Sequence, residues 1–277
     1  MKSATPDLRD FAGRLVLVGA GKMGSALLEG WLRFGLDPKH IAVIEPQPTP
    51  QISTLTTQGL LLNPQLRALT DVAAVVVAVK PQTAAEAIPP LKPLIGTSTV
   101  VVSIMAGRTL QFIAGALNIP CALVRAMPNT PAAIGRGITV AVPRDVNPAQ
   151  RALAHRLLCA TGTVEWTEDE ALMDAVTAVS GSGPAYVFLL AEALAEAGVA
   201  AGLPPSLAAK LARETVAGSG ELLHRSGLDA AMLRQNVTSP GGTTAAALEV
   251  LMGKDGLTQL MRKAVAAATA RSRELAG

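Results

Sequence analysis

The sequence has little to stack with and little to ligate with. Its 277 residues include one Tyr, two Trp and four Phe, so aromatics make up 3% of the chain. Lys and Arg exceed Asp and Glu by only three charges, and the basic residues are dispersed. Nucleic-acid binding usually needs a basic stripe with aromatics interleaved, so nucleic acid is not an expected partner. His40, His155 and His224 lie far apart, and Cys121 and Cys159 have neither metal-ligand spacing nor a disulfide framework. No metal is expected, and the two thiols read as free and buried. Long apolar runs are missing too. Val72–Val79 stops at Lys80, and Tyr186–Gly202 is interrupted by Glu192 and Glu196. Neither reaches the roughly 20 residues of a bilayer span. The opening M-K-S-A-T-P-D-L-R-D carries no apolar leader. The expectations are no membrane and a cytoplasmic location.

What the chain has is small apolar side chains. It is 49% hydrophobic, so Ala, Val and Leu must fill the core, and its length suffices for two domains. Short Val/Ile runs alternate with helical stretches over the first 165 or so residues. Strands are predicted at Arg14–Val18, Ile41–Glu45, Val72–Val79, Thr99–Ile104, Ala122–Arg125, Ile138–Val142 and Thr163–Trp166. Between the first two, Met23, Leu27, Trp31 and Phe34 line one face of a helix that Gly35 and Pro38 stop. Continuous apolar strands alternating with helices predict a mostly parallel sheet covered on both faces. From Glu168 onward the β-type runs disappear. Residues 168–179, 184–201, 205–224, 228–236, 243–252 and 256–275 all read as helix. Residues 1–166 are thus expected to form a dinucleotide-binding α/β domain, and residues 167–277 an all-helical one. Helix 184–201 is apolar nearly all round, and a small helical domain has few layers in which to hide it. A dimer with interlocked helices is the expectation.

L-V-L-V followed by Gly19, Ala20, Gly21, Lys22, Met23 and Gly24 is a G-x-G-x-x-G between a strand and an amphipathic helix. In that context Gly19 permits the tight turn, Gly21 lets backbone approach a pyrophosphate, and Gly24 lets the helix pack on the strand. The expected fold is a Rossmann-type doubly wound sheet. Glu45 ends the next strand, where a carboxylate accepts from ribose hydroxyls and repels a 2′-phosphate. The following P-Q-P-T-P offers no cation to pair such a phosphate. NAD is therefore favoured over NADP, with a solvated acid at a strand end as the alternative. Ala78, Val79, Lys80 and Pro81 close the strand at 72–79, and Met105, Ala106 and Gly107 follow the strand at 99–104. Both segments can lie along a nicotinamide or its ribose, and both can equally be ordinary strand-ending turns.

A second anion seat lies near the carboxyl end, in N-V-T-S-P-G-G-T-T-A-A-A-L, residues 236–248. A proline and two glycines open an Ala/Leu helix, with Ser239, Thr243 and Thr244 bracketing the turn. Backbone N–H groups and the positive end of the helix dipole converge there, a seat for a small carboxylate. A simple well-capped helix start is the bland alternative. Two anion seats of different size suggest a nucleotide cofactor meeting a small acid.

With these segments in view, the chain resembles the pyrroline-5-carboxylate reductases. V-G-A-G-K-M-G, A-V-K-P-Q, R-A-M-P-N-T-P, A-V-S-G-S-G-P-A-Y-V-F and the late N-V-T-S-P-G-G-T-T segment carry the resemblance, in family order over nearly the whole chain. It implies NAD(P)H-dependent reduction of the cyclic imine 1-pyrroline-5-carboxylate to L-proline. It also implies a helical domain that interlocks two subunits, often within larger rings. Carried over by residue, cofactor binding falls on Gly19, Ala20, Gly21, Lys22, Met23, Gly24, Glu45, residues 78–81 and residues 105–107. Substrate binding falls on Asn236, Ser239, Gly241, Gly242, Thr243 and Thr244, with the Thr244 hydroxyl facing the ring nitrogen as the catalytic contact. Lys22, Gly24, Glu45 and Met105 depart from the family's usual pattern, which puts cofactor preference in doubt but leaves the substrate loop intact. The chemistry agrees with the missing histidine. A ketone reductase needs a positioned acid for the developing alkoxide, whereas a protonated C=N is already electrophilic. Another imine or 3-hydroxy-acid reductase, and a non-catalytic dinucleotide sensor, remain as alternatives. S-G-S-G-P at 180–184 lacks nucleophile-elbow spacing and reads as a tight helix junction, and Asn129 as the shaper of a turn.

Overall fold

The structure is a computed structural model and describes residues 7–276. Residues 1–6, which hold part of the opening segment read above, lie outside the described residues. The chain divides into two compact units: residues up to Gly181 together with those from Thr269, and Ser182–Ala268.

The first unit is built on β1 (Arg14–Val18), α1 (Lys22–Arg33), β2 (Ile41–Ile44), α2 (Pro50–Leu55), β3 (Leu61–Leu62), β4 (Val72–Val77), α3 (Ala84–Ala87), β5 (Val100–Ser103), α4 (Leu110–Leu117), β6 (Ala122–Met127), β7 (Gly137–Arg144), α5 (Pro148–Cys159), β8 (Gly162–Trp166) and α6 (Met173–Val176). The strands form one sheet in the order β3-β2-β1-β4-β5-β6-β7-β8. Every neighbouring pair is parallel except β6 and β7. The expected mostly parallel, doubly wound sheet is observed. The reversal of order between β1 and β4 creates the crevice where such sheets bind ligands.

The continuous apolar strands follow from burial on both faces. Leu15 and Leu17 enter one core with Leu27, Leu28 and Trp31 of α1 and Leu157 and Leu158 of α5. Val16 and Val18 enter another with Ile113 and Leu117 of α4 and Ile88 and Leu91. Alternate side chains point to opposite faces, so a strand covered twice favours apolar residues at nearly every position. The Trp31 indole N–H donates to Leu157 O at 2.8 Å, which satisfies the one polar atom of that buried ring. Helix α1 ends as its sequence predicts. Gly35 takes φ +92° while Gly35 N–H and Leu36 N–H return to Leu32 O and Trp31 O, a Schellman closure.

Two expectations are corrected. Strand β3 was not foreseen, and the two-residue segment pairs with β2 only at Ala42 and Val43. The helix predicted at 168–179 is a 3-10 turn at Glu170–Leu172, the short α6, and a π-helical turn at Thr177–Gly181. That stretch groups with the first compact unit, which runs to Gly181. The cause is packing: Met173 is buried in the sheet core, Glu170 pairs with buried Arg125 at 2.8 Å, and Asp174 accepts from Ser272 Oγ at 2.7 Å. The last contact ties the carboxyl-terminal residues into the same unit.

The second unit comprises α7 (Gly183–Ala200), α8 (Pro205–Ser226), α9 (Ala230–Asn236), α10 (Thr243–Leu251) and the first part of α11 (Leu257–Ala276). Helices α7 and α8 pack as a hairpin. They run close at Gly198, where a Cβ would stand 3.2 Å from the Ala208 Cβ, tighter than an ordinary contact. By length and composition alone the 31-residue helical run Glu170–Ala200 contains an 18-residue window, of mean hydropathy 1.3, apolar enough to cross a bilayer, a measure that core helices of globular proteins also meet. Its first third is held in the sheet unit by Met173 and Ala178, both buried.

Candidate active site

The glycine loop assigns each of its three glycines a different physical job. At Gly19, φ is +89° and an added Cβ would lie 2.9 Å from Ala78 C and O and from Val79 N. The loop therefore crosses directly over the end of β4, and only hydrogen fits. At Gly24 a Cβ would lie 2.2 Å from Gly19 O, so helix α1 can press on the loop only without a side chain. Gly21 has nothing within 4 Å of such a Cβ. The open space there lets a ligand approach the backbone. Gly21 is also the N-cap of α1, and no side chain caps the helix, so its first N–H groups are left for an anion. Ser25 Oγ donates to Ala20 O at 2.7 Å and steadies the loop from inside the helix.

Glu45 stands at the end of β2, facing this loop. Its Oε2 accepts from Ala20 N–H at 2.7 Å and its Oε1 from Gln47 N–H at 3.0 Å. Sequence reasoning placed the acid but missed its holder. Asn63, in the left-handed region at φ +48°, accepts from Glu45 N–H at 2.8 Å and donates to Glu45 O at 2.9 Å. The only trace in the sequence was the residue type, an Asn directly after the apolar pair Leu61–Leu62, since Asn tolerates this conformation.

Between the loop and β4 lies a cleft of about 600 Å³ whose walls include Gly19, Gly21, Ile44, Glu45, Ala78, Val79, Lys80 and Thr83. Of the expected cofactor residues, Ala20, Lys22, Met23, Gly24 and Pro81 are not part of that wall, nor are Met105, Ala106 and Gly107. Ala20, Lys22 and Pro81 adjoin wall residues in sequence, whereas Met23 and Gly24 lie further along α1. Met105 is buried, Ala106 is exposed, and Gly107 takes φ +68°. The uncapped helix start, the open space at Gly21 and a carboxylate at the β2 end together fit an adenine dinucleotide.

The late motif forms the local structure that its residues predict. Ser239-Pro240-Gly241-Gly242 is a tight turn closed by Gly242 N–H to Ser239 O at 3.0 Å, with Gly241 at φ +69°. Proline second and a positive-φ glycine third are what such a turn requires. Helix α10 then starts at Thr243 with Gly242 as N-cap and no side-chain cap, a second helix start with free N–H groups. Thr244 is half-buried, Ser239, Gly241 and Thr243 are exposed, and Asn236 ends α9.

Other candidate residues are structural. Asn129 Oδ1 accepts from Ile138 N–H at 2.9 Å and shapes its turn. The S-G-S-G-P segment runs from the π-helical turn into α7, and Ser180 Oγ donates to Val176 O at 2.9 Å. His155 Nδ1 accepts from the Trp166 indole N–H at 3.2 Å, and His40 Nδ1 lies 2.7 Å from Gly13 O. Burial pushes the Cys121 and Cys159 thiols up from the usual value. Among the described residues no cluster of His, Cys, Asp or Glu could hold a metal ion.

A doubly wound sheet with this glycine loop, joined to a helical unit, defines an NAD(P)-dependent oxidoreductase. Residues 14–107 match the family profile "NADP oxidoreductase coenzyme F420-dependent", and residues 170–275 match "Pyrroline-5-carboxylate reductase dimerisation". The pyrroline-5-carboxylate reductase of Mycobacterium tuberculosis is 40% identical over 95% of this chain and 96% of its own. The solved structure of such a reductase from Coxiella burnetii matches with TM-score 0.88 and 33% identity over 96% of this chain and 99% of the other. That from Plasmodium falciparum, with NADP bound, matches with TM-score 0.80 and 29% identity over 96% and 98%. The chain belongs to the pyrroline-5-carboxylate reductase family. Its activity is that of the family, the reduction of pyrroline-5-carboxylate in proline biosynthesis.

Proposed function

We propose that this chain reduces 1-pyrroline-5-carboxylate to L-proline with the Ser239–Thr244 turn as the substrate seat, and that it prefers NADH. When bound, the nicotinamide cofactor supplies the hydride. The protein's own part is placement. The free N–H groups at the start of α10 take the carboxylate, with Ser239 and Thr243 hydroxyls beside them and Asn236 nearby. The Thr244 hydroxyl bonds the ring nitrogen, whose lone pair forms as the C=N bond is reduced. Orientation supplies most of the catalysis, because the protonated imine needs no strong general acid. On the cofactor side, Gly19 to Gly24 seat the pyrophosphate, Ala78–Pro81 and Met105–Gly107 flank the nicotinamide half, and Glu45 takes the ribose hydroxyls.

The preference for NADH rests on Glu45. Its carboxylate is held at the loop by Ala20 N–H and Gln47 N–H, so a 2′-phosphate would meet a fixed negative charge. We also read the working unit as a homodimer through the helical unit, with a larger ring of dimers built on it, in the cytoplasm. Supporting the dimer, the apolar faces of α7 and α8 are exposed in the single chain.

The observation that carries the substrate assignment is the uncapped α10 start behind a serine-proline-glycine turn. Thr244→Ala should lower kcat by roughly one to two orders of magnitude with the NADH KM unchanged, since its bond is worth about 1–3 kcal/mol. Unchanged kinetics in a folded variant would remove Thr244 from the reaction. Steady-state rates with NADH and NADPH on the same imine test Glu45. An NADPH preference in the wild type, or no change in the ratio for Glu45→Gln, would overturn the cofactor reading.

A further inference from the structure

We infer that Arg108 is a positioning residue for the nicotinamide half of the cofactor, acting by clamping the loop after β4 to the loop after β5. The backbone ladder between these neighbouring parallel strands continues to Ile104 N–H on Val77 O at 3.0 Å. Past that bond a side chain ties them. Arg108 Nε and Nη2 both donate to Pro81 O, at 3.0 and 2.9 Å. The next carbonyl back, Lys80 O, accepts Thr83 N–H and Thr83 Oγ1, each at 3.0 Å. Two successive carbonyls of the A-V-K-P turn are therefore held by side chains, Thr83 on one and Arg108 on the next.

The clamp itself stands on a rigid base. The Arg108 guanidinium lies 4.6 Å from the centroid of the Phe112 ring, within cation–π range. Phe112 belongs to α4, whose N-terminus is fixed twice. Thr109 Oγ1 accepts from Phe112 N–H at 3.1 Å, and Glu170 Oε1 accepts from Leu110 N–H at 2.8 Å while pairing with the buried Arg125. Only arginine has a planar head that stacks on a ring and presents two N–H groups to one oxygen. A lysine here would offer a point charge without the fork.

The inference rests on the proposal that residues 78–81 and 105–107 flank the nicotinamide half. Two soluble probes separate the halves of the cofactor: ADP-ribose reports the adenosine half and NAD⁺ the whole. Titration calorimetry on the full chain compares wild type, Arg108→Met and Arg108→Lys. We expect ADP-ribose affinity to stay within about twofold while NAD⁺ affinity falls about tenfold in Arg108→Met, the effect of losing two moderate hydrogen bonds. Arg108→Lys, which keeps the charge and guards against a misfolded Met variant, should recover less than half of that loss. Ala106→Glu tests the underlying proposal separately: it should cut NAD⁺ binding and spare ADP-ribose. If Ala106→Glu leaves NAD⁺ binding intact or weakens both probes alike, the placement of the nicotinamide falls. If Ala106→Glu behaves as expected while Arg108→Met and Arg108→Lys match wild type, or weaken both probes equally, Arg108 does not position the cofactor.

Discussion

In the sheet unit Leu15, Val16 and Leu17 are consecutive and all fully buried, whereas α7, the most apolar helix of the other unit, has no buried residue. Phe188 and Leu189 stand 63% and 62% exposed, and within Ser182–Ala268 the buried residues are Ala208 and Ala212. The contrast comes from geometry. A sheet with helices on both faces covers every residue of a strand, so an unbroken apolar run closes on itself. A helix hairpin covers one stripe of each helix, so a helix apolar all round is left with uncovered faces. Burying a Leu or Phe side chain is worth about 1.5–3 kcal/mol, so several exposed ones represent a large driving force for association. The first unit has a finished core, and the second is a dimerisation domain whose core waits for another surface.

The hardest test of that contrast puts a charge on α7. Phe188→Glu should abolish self-association at micromolar concentration, because an unpaired buried charge costs several kcal/mol. Light scattering should report a monomer, and only the helical unit should lose structure. A dimer of wild-type stability would mean that this face is not the one covered. Trp31→Ala should do the reverse. It should cost the sheet unit about 3–5 kcal/mol through a cavity and an orphaned Leu157 carbonyl, and leave association intact. Denaturant unfolding followed at Trp166 would show it. Glu170→Gln should destabilise the same unit by about 3 kcal/mol, because the buried Arg125 loses its charge partner. An effect confined to the helical unit would instead move the boundary back towards residue 166.

The smallest effect concerns the thiols. Burial raises the Cys121 and Cys159 values above the usual 9.0 in the folded state, so folding favours the protonated form. Their contribution is therefore present at neutral pH and fades as pH rises past the unfolded value near 9. Melting temperature measured from pH 7 to pH 10 should fall at the alkaline end, and less so in Cys121→Ala and Cys159→Ala variants. Equal alkaline losses in all three proteins would remove the thiols from the account.

Much of the sheet was legible because its signals are local. Strand β1 falls on the predicted residues, and the other six predicted strands agree to within a few residues. The glycine loop and the Ser239–Gly242 turn were readable since both depend on backbone conformations that few residue types allow. What escaped depends on partners distant in sequence. Two residues of β3 carry no period, and Leu61–Leu62 becomes a strand only by pairing with β2. Nothing in A-V-T-A-V-S-G marks a π-helical turn. Asn63 and Arg108 look like ordinary loop residues until the fold sets them against Glu45 and Pro81, 18 and 27 positions away.

The amino-acid order alone therefore determined which segments are strands and helices, where the two helix starts lie bare for anions, and that one long helix is too apolar to stand uncovered. Periodicity, glycine and proline act over a few residues, and water penalises exposed apolar surface wherever it falls. Only the folded chain decided that residues 167–181 and the last turns of α11 join the sheet unit, that the Glu45 carboxylate rests on Ala20 N–H, and that one arginine fork closes the loops after β4 and β5. Those outcomes depend on hydrogen-bond directions and close packing between segments far apart in the chain, which no local pattern encodes.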